Sequence, residues 1–249
     1  MPFTYRQNEI INYLKEKKHA RISDISKHIF VSDATIRREL TELEKLGLVK
    51  RDHGGAVILE SADEISIYVR QKLGTDEKES TSQIAAGRLP EFKTVFIDNS
   101  STALIYSSRI NFAYKTVVTN GLMLAMQLSS KPDVHVIVLG GNLDYNTTSM
   151  TGYTAINTLR EMHFDLSICS CTSLSEYGSF ESSIDQCEIK RTAMKNSKKR
   201  VLIADRTKFQ GNAMYHTATL TDYDAVFTNA DDETVSSVRE KTGANIINK

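Results

Sequence analysis

The sequence predicts an α/β chain in two parts: an N-terminal winged helix-turn-helix, then a doubly wound, mainly parallel α/β domain. Three observations carry this. Residues 1–57 hold three short amphipathic segments followed by a Gly-Gly hairpin signal. From about residue 78, apolar runs of strand length alternate with helical stretches, as repeated β-α units require. Charge divides at the same place. Residues 1–56 carry 11 Lys/Arg against 8 Asp/Glu and the rest 20 against 23, so the zero net charge joins a part of +3 to one of −3.

Composition removes several classes. With 40% hydrophobic and 25% charged residues among 249, the chain is ordinary for a globular protein. No apolar run reaches the roughly 18 residues that span a bilayer, and the first residues lack a signal-peptide core. Three cysteines, an odd number, make no disulfide framework, so a reduced, cytoplasmic setting is expected.

In the first part, Ile10, Ile11 and Leu14 mark a helix over 5–17. Ser23 is placed to cap a second helix that buries Ile25 and Ile29. After the break Phe30-Val31-Ser32, Ser32 caps a third helix over 33–46. Its core stripe is Ile36, Leu40 and Leu43, which leaves Ala34, Thr35, Arg37, Arg38 and Thr41 on other faces. Gly47 ends it. Two short apolar runs then flank Asp52-His53-Gly54-Gly55, a small wing whose tip brings Lys50, Arg51 and His53 near phosphates. Helix, turn, capped basic helix and basic wing in register read as a DNA-binding unit.

The run Val31-Ser32-Asp33-Ala34-Thr35-Ile36-Arg37-Arg38-Glu39-Leu40, followed by Leu43-Glu44, Gly47 and His53-Gly54-Gly55-Ala56, resembles the signature of the deoxyribose-operon repressor (DeoR) family. That pattern is V-S-x-x-T-I-R-R-D-L, then L-E, G and H-G-G-A. Glu39 for Asp is the departure within the run, and it keeps the charge. The resemblance implies that Thr35, Arg37 and Arg38 face DNA.

Residues 58–76 read as a linker, including Ser61-Ala62-Asp63-Glu64, with the second domain over 77–249. Its strand-like runs are 94–98, 116–120, 134–141, 164–171, 201–205 and 225–229, with helices over 103–110, 122–129, 154–162 and 185–198. Val134–Leu139 is nearly all apolar, as expected of a central strand. Ligands in such folds bind beyond the carboxyl ends of the strands. There the sequence places Asp98, Ser100-Ser101-Thr102, Thr119-Asn120, Gly140-Gly141, Ser170 to Ser173 and the stretch from Asp205 to Lys208. Ser100-Ser101-Thr102 also starts a helix, whose N–H groups and dipole suit a phosphate. Asp98 and Glu188 are candidates for sugar hydroxyls, and Lys208 for the phosphate.

This half too resembles the DeoR family, whose sensor domain is similar in fold to ribose-phosphate isomerase and glucosamine-phosphate deaminase. Family motifs correspond to Asp98 through Thr102, Thr119-Asn120, Gly140-Gly141, Gly152, Asp165, Glu188 and Asp205 through Phe209. The resemblance implies a repressor whose affinity for DNA is set by a phosphorylated sugar. Ser100 replaces a usual Gly and narrows the approach to a phosphate. Ser170 and Ser173 stand where Gly is common, and Thr81 replaces a usual Lys, leaving Lys78 as its substitute. Ile168 through Thr172, together with Ser100-Ser101-Thr102, is more similar to the subgroup with the fucose-operon regulator.

Cys169, Cys171 and Cys187 lack ligand-spaced histidines and read as buried, inert thiols, so neither metal nor cofactor is expected. The basic run 195–200 reads as a solvated helix end. Two functions follow. The first is a regulator that binds double-stranded operator DNA as a dimer or tetramer and is released when a sugar phosphate shifts its population. The alternative is a sugar-phosphate isomerase or deaminase using Glu188 as base and Lys208 as electrophile, which leaves the basic head unexplained.

Overall fold

A computed structural model of the chain describes residues 4–59 and 66–249. The chain divides into two compact units between Leu73 and Gly74. In the first, Thr4 and Gln7 form a reciprocal capping box on α1 (Tyr5–Lys17). Then come β1 (His19–Arg21), α2 (Ile22–Ile29), α3 (Asp33–Lys45), β2 (Val49–Arg51) and β3 (Gly55–Ile58). The three strands form an antiparallel sheet in the order β1-β3-β2. Ile10 and Leu14 of α1, Ile22 and Ile25 of α2, and Ile36, Leu40 and Leu43 of α3 meet in one core.

Three details depart from the sequence reading. Ser23 lies inside the first turn of α2, and Arg21 holds the cap position without a side-chain bond. The carbonyl of Gly54 in the wing substitutes for a side-chain cap, accepting the Ile22 N–H at 2.9 Å. The wing gains a third strand, β1, which is too short to show a period. Finally, Ile58 belongs to β3, and α4 (Ile67–Arg70) sends Val69, with Leu73 beside it, into the core of this unit. The expected linker over 58–76 is therefore largely structure, while Ser61 to Glu64 lie outside the described residues.

The second unit opens with α5 (Thr75–Ala85), β4 (Thr94–Ile97), α6 (Ser101–Ser107), β5 (Lys115–Thr119), α7 (Leu122–Ser129) and β6 (Val134–Val138). A hairpin of β7 (Asn142–Asp144) and β8 (Ser149–Thr151) leads to α8 (Tyr153–Arg160) and β9 (Phe164–Cys169). Next are β10 (Ser173–Ser175), β11 (Gly178–Glu181), α9 (Ile184–Lys195), β12 (Ser197–Ile203), β13 (Tyr215–Ala218), β14 (Ala225–Phe227), α10 (Asp232–Thr242) and β15 (Ile246–Ile247). Seven parallel strands order as β15-β14-β12-β9-β4-β5-β6, and β10-β11-β13 make a small antiparallel sheet.

Strand alternation covers both faces. Val95, Ile97, Leu166, Ile168, Val201 and Ile203 join residues of α5, α6 and α7 in one cluster. Phe96, Val118 and Cys169 meet α8 and α9 on the other. The chain builds outward from β4 to β6, then returns to lay β9 on the other side of β4, so the topological switch lies between β4 and β9.

Two expectations fail here. β6 is an edge strand rather than a central one, with Val138 39% exposed. Its residues are half-buried or exposed, so an apolar composition alone gives neither burial nor position in a sheet. The basic run is a helix end only at Lys195, the last residue of α9. Lys198, Lys199 and Arg200 lie on β12, held by Asp165 and Asp224 at its amino end.

At that edge Asp165 accepts from Lys198 Nζ at 2.8 Å, the N–H groups of Lys93 and Thr94 at 3.0 and 3.1 Å, and Thr94 Oγ1 at 3.2 Å. The bond from Lys198 and those from the backbone hold its carboxyl well below the usual range. An open cavity of about 940 Å³ lies beside it, lined in part by Lys93, Arg109, Lys115 and Lys198. Three of these cations are engaged: Lys198 with Asp165, Arg109 with Glu79, and Lys115 with the Phe92 carbonyl.

Candidate functional site

Each unit brings one set of expected residues together. In the first, burial of Ile36, Leu40 and Leu43 turns Ala34, Arg37, Arg38 and Thr41 outward, because each residue advances about 100° around the helix. Arg37 and Arg38 are exposed, and neither guanidinium is ion-paired within the described residues. Ser32 is committed to the helix end: its Oγ accepts the Thr35 N–H at 3.3 Å and lies 3.0 Å from Thr35 Oγ1.

The wing is braced against this helix. Arg51 donates to Thr41 Oγ1 at 2.8 Å, and its N–H bonds Glu44 at 2.9 Å, so it fixes the wing instead of extending as a loose cation. His19 and Asp52, in the turn of the wing, meet at 2.9 Å. Lys50 and His53 remain exposed. Glu39, the departure from the family pattern, pairs with Arg6 of α1 at 3.0 Å.

In the second unit, the loops after β4, β5, β9 and β12 converge at the switch point. Asp98 accepts the Ser170 N–H at 2.9 Å across the β4–β9 boundary. It also accepts the Ser100 N–H at 3.1 Å and Ser100 Oγ at 2.5 Å, and Ser100 Oγ in turn caps α6 through Ala103. Gly121 packs so tightly on Asn99 that a Cβ there would lie 2.9 Å from the Asn99 Cα. Gly211, beyond Lys208, is packed equally closely on Ser173. Thr119 Oγ1 accepts the Gly121 N–H at 3.0 Å. Asp205 is held by Thr207, and no described group bonds Lys208 Nζ.

The centre of this cluster is a lysine that sequence reading missed. Lys190, 4% exposed, lies 3.0 Å from Asp98, bonds Glu181, and donates to the Ser170 carbonyl at 2.7 Å. Burial alone would push its ammonium down, but Asp98 and Glu181 outweigh that and hold it well above the ordinary lysine range. Glu181 also accepts from Thr172 Oγ1 at 2.9 Å.

Gln186, one turn earlier on α9, accepts from Asn120 Nδ2 at 3.3 Å and donates to Ser149 Oγ at 2.7 Å. The signal was present: Gln186, Lys190 and Ala193 follow the helical spacing of a buried stripe, so two polar residues occupy core positions. Asn120 Oδ1 and Ser170 Oγ are buried there without a partner among the described residues. Leaving such atoms unmatched costs roughly 1–3 kcal/mol each.

Glu188 does not belong to this cluster. It sits about 200° around α9 from Gln186, pairs with Arg191 at 2.7 Å, and its partner reaches the His216 and Thr217 carbonyls of β13. Sequence spacing placed it on the right helix and the wrong face. The alternative enzyme reading loses its base by this placement. Gly140 is exposed, and Gly141, at φ 137°, answers to the hairpin: a Cβ there would lie 2.4 Å from the Thr151 carbonyl oxygen.

The cysteines are buried, but Cys171 lies past the end of β9 and packs in a different cluster from Cys169. Burial pushes the Cys171 thiol up to about 12 and raises Cys169 and Cys187 as well. Among the described residues no helix is long and apolar enough to cross a membrane, and no His/Cys/Asp/Glu group could hold a metal ion.

Comparison with known proteins matches both units. Residues 6–62 match the DeoR-like helix-turn-helix domain and residues 74–230 the DeoR C terminal sensor domain. The HTH-type transcriptional regulator GolR of Listeria innocua is 33% identical over 82% of this chain and 81% of its own. The glycerol-3-phosphate regulon repressor of Escherichia coli is 31% identical over 92% of each chain. The L-fucose operon activator of Haemophilus influenzae is 28% identical over 90% of each. Among solved structures, ribose 5 phosphate isomerase A of Neisseria gonorrhoeae covers 56% of this chain and 53% of its own at 16% identity and a TM-score of 0.37, a likeness that carries no further argument.

Proposed function

This chain belongs to the DeoR family of DNA-binding transcriptional regulators, and we propose that it represses a carbohydrate-utilisation operon and leaves its operator when a phosphorylated sugar binds. The observation that carries the effector reading is the convergence of polar loops at the β4–β9 switch, where Asn120 Oδ1 and Ser170 Oγ lie buried and unmatched. Sugar hydroxyls match such atoms. Ser101, Thr102 and Lys208 border the same edge and supply hydroxyls and a cation for a phosphate. The Escherichia coli relative is named for a glycerol phosphate, which supports a phosphorylated ligand of this general kind.

Asp98 enters this reading in a changed role. Its oxygens are taken by Ser100, Ser170 and Lys190, so it holds the loops rather than a sugar hydroxyl. Arg37, Arg38 and Thr35 of α3, with Lys50 and His53 of the wing, meet the operator. A head of +3 binds weakly alone, so the reading includes a homo-oligomer that sets two heads on repeated half-sites. The edge strand β6 supports assembly, since no charged residue occurs between Asp133 and Asp144.

The test uses duplexes selected by the full chain from a random pool. One sugar phosphate is expected to raise the melting temperature and weaken duplex binding at least tenfold, about 1.4 kcal/mol, while its unphosphorylated form does neither. If no sugar phosphate changes either quantity, the effector reading fails. Catalytic turnover of the active compound would restore the enzyme alternative. Sedimentation as a monomer at micromolar concentration, with and without the duplex, would remove the oligomer.

A further inference from the structure

Phe30 is the most exposed large apolar side chain among the described residues, at 92%. It sits in the turn between α2 and α3, two residues before the cap of α3. Its backbone is left-handed, with φ 60° and ψ 42°. The turn requires that conformation: the N–H groups of Phe30 and Val31 both return to the Ser26 carbonyl, closing the end of α2. Glycine or asparagine meets this need with least strain, and an aromatic residue meets it badly. Neither the turn nor the core gains from the ring. Two folding preferences are thus opposed at one position, directly beside the helix that carries Arg37 and Arg38.

Resting on the reading that α3 enters DNA, we propose that the Phe30 ring is itself an operator contact. It lies against an apolar surface of the duplex, either a thymine methyl at the edge of the major groove or the face of a deoxyribose. Phosphates lie along the same edge, but a phenyl ring gains nothing from them. The contact therefore adds affinity without adding to the salt dependence that Arg37, Arg38 and Lys50 produce.

The experiment measures binding of the full chain to a selected duplex by fluorescence anisotropy over a salt series, with Phe30→Gly, Phe30→Asn and Phe30→Tyr. Binding by the wild-type chain checks the underlying reading by itself. Phe30→Gly and Phe30→Asn are expected to bind about tenfold more weakly or worse, with an unchanged slope of log affinity against log salt and a melting temperature equal to or above wild type. Phe30→Tyr keeps most of the affinity. Uracil substitution, thymine by thymine, locates the ring. A loss at one position that disappears in Phe30→Gly assigns a methyl group, and no loss at any position assigns a deoxyribose. Wild-type affinity in both Phe30→Gly and Phe30→Asn overturns the proposal. So does a fall in melting temperature parallel to the loss, which would make the ring a support of the fold.

Discussion

Replacing Lys190 with methionine keeps most of the length and volume of the side chain and removes its charged, donating end. The residue is 4% exposed and stands between two carboxylates that are 1% and 7% exposed, Asp98 and Glu181. After the change Asp98 keeps the Ser100 N–H and Oγ and the Ser170 N–H, and Glu181 keeps Thr172. Two negative charges then face each other in a dry site without a cation. Removing one partner of a buried ion pair costs about 3–5 kcal/mol. For a unit the size of 74–249, each kcal/mol moves the midpoint by roughly 2–4 °C, so the sensor transition should fall by about 6–20 °C.

The assay is calorimetry of the full chain, in which the transition of the first unit is an internal reference. In the wild-type chain the raised Lys190 makes its contribution below the ordinary lysine range and loses it only at strongly alkaline pH. Lys190→Met combined with Asp98→Asn and Glu181→Gln should recover most of the loss. A midpoint within about 3 °C of wild type for the single change would refute the reasoning. A triple variant as unstable as the single one would refute it too, by making the loss one of packing.

Four further outcomes are expected. Arg37→Ala with Arg38→Ala should abolish selective binding in a gel-shift titration and flatten its salt dependence, while the melting temperature of the first unit stays put, because both side chains are exposed and unpaired among the described residues. Arg51→Ala should weaken the same titration with a stability loss of about 1 kcal/mol, since it removes the side-chain bond to Thr41 and leaves only the backbone N–H bond to Glu44. Asp165→Asn should destabilise the second unit by about 1–2 kcal/mol in urea at pH 7, discounted for its partial exposure. As its carboxyl is held low, that contribution is present above about pH 4 and lost as pH falls further. A thiol reagent at about pH 8 should label none of Cys169, Cys171 and Cys187 until denaturant is added, and rapid labelling of the native chain would contradict their burial.

The parts of the fold legible in the sequence are those with a period. Ile36, Leu40 and Leu43 announced α3, and Leu122–Ser129 has the expected bounds because apolar residues and Gly121 delimit it. The strands β7, β8, β10, β11 and β13 have three or four residues each, too few for alternation to register. The convergence of Asp98, Asn120 and Ser170 followed from strand ends alone. Lys190 and Glu181 did not, because an ionic residue within an apolar stripe reads as surface until its partner is known, and that partner comes from another strand. Glu188 shows the converse: a motif position carries a residue's place in the chain but not the direction its side chain takes around a helix.

The backbone bond from Ile22 to Gly54 has a practical meaning for anyone who would transplant the DNA-reading part onto a different sensor. The wing is no detachable cassette, since exchanging its tip changes what caps the amino end of α2. Nor does the portable piece stop at the wing's last strand. Val69 is fully buried, and Val69 and Leu73 complete the same apolar interior as α1, α2 and α3, so a graft cut near residue 58 would expose that interior to water. The junction that preserves both parts lies between Leu73 and Gly74, where the left-handed glycine that precedes α5 already separates them.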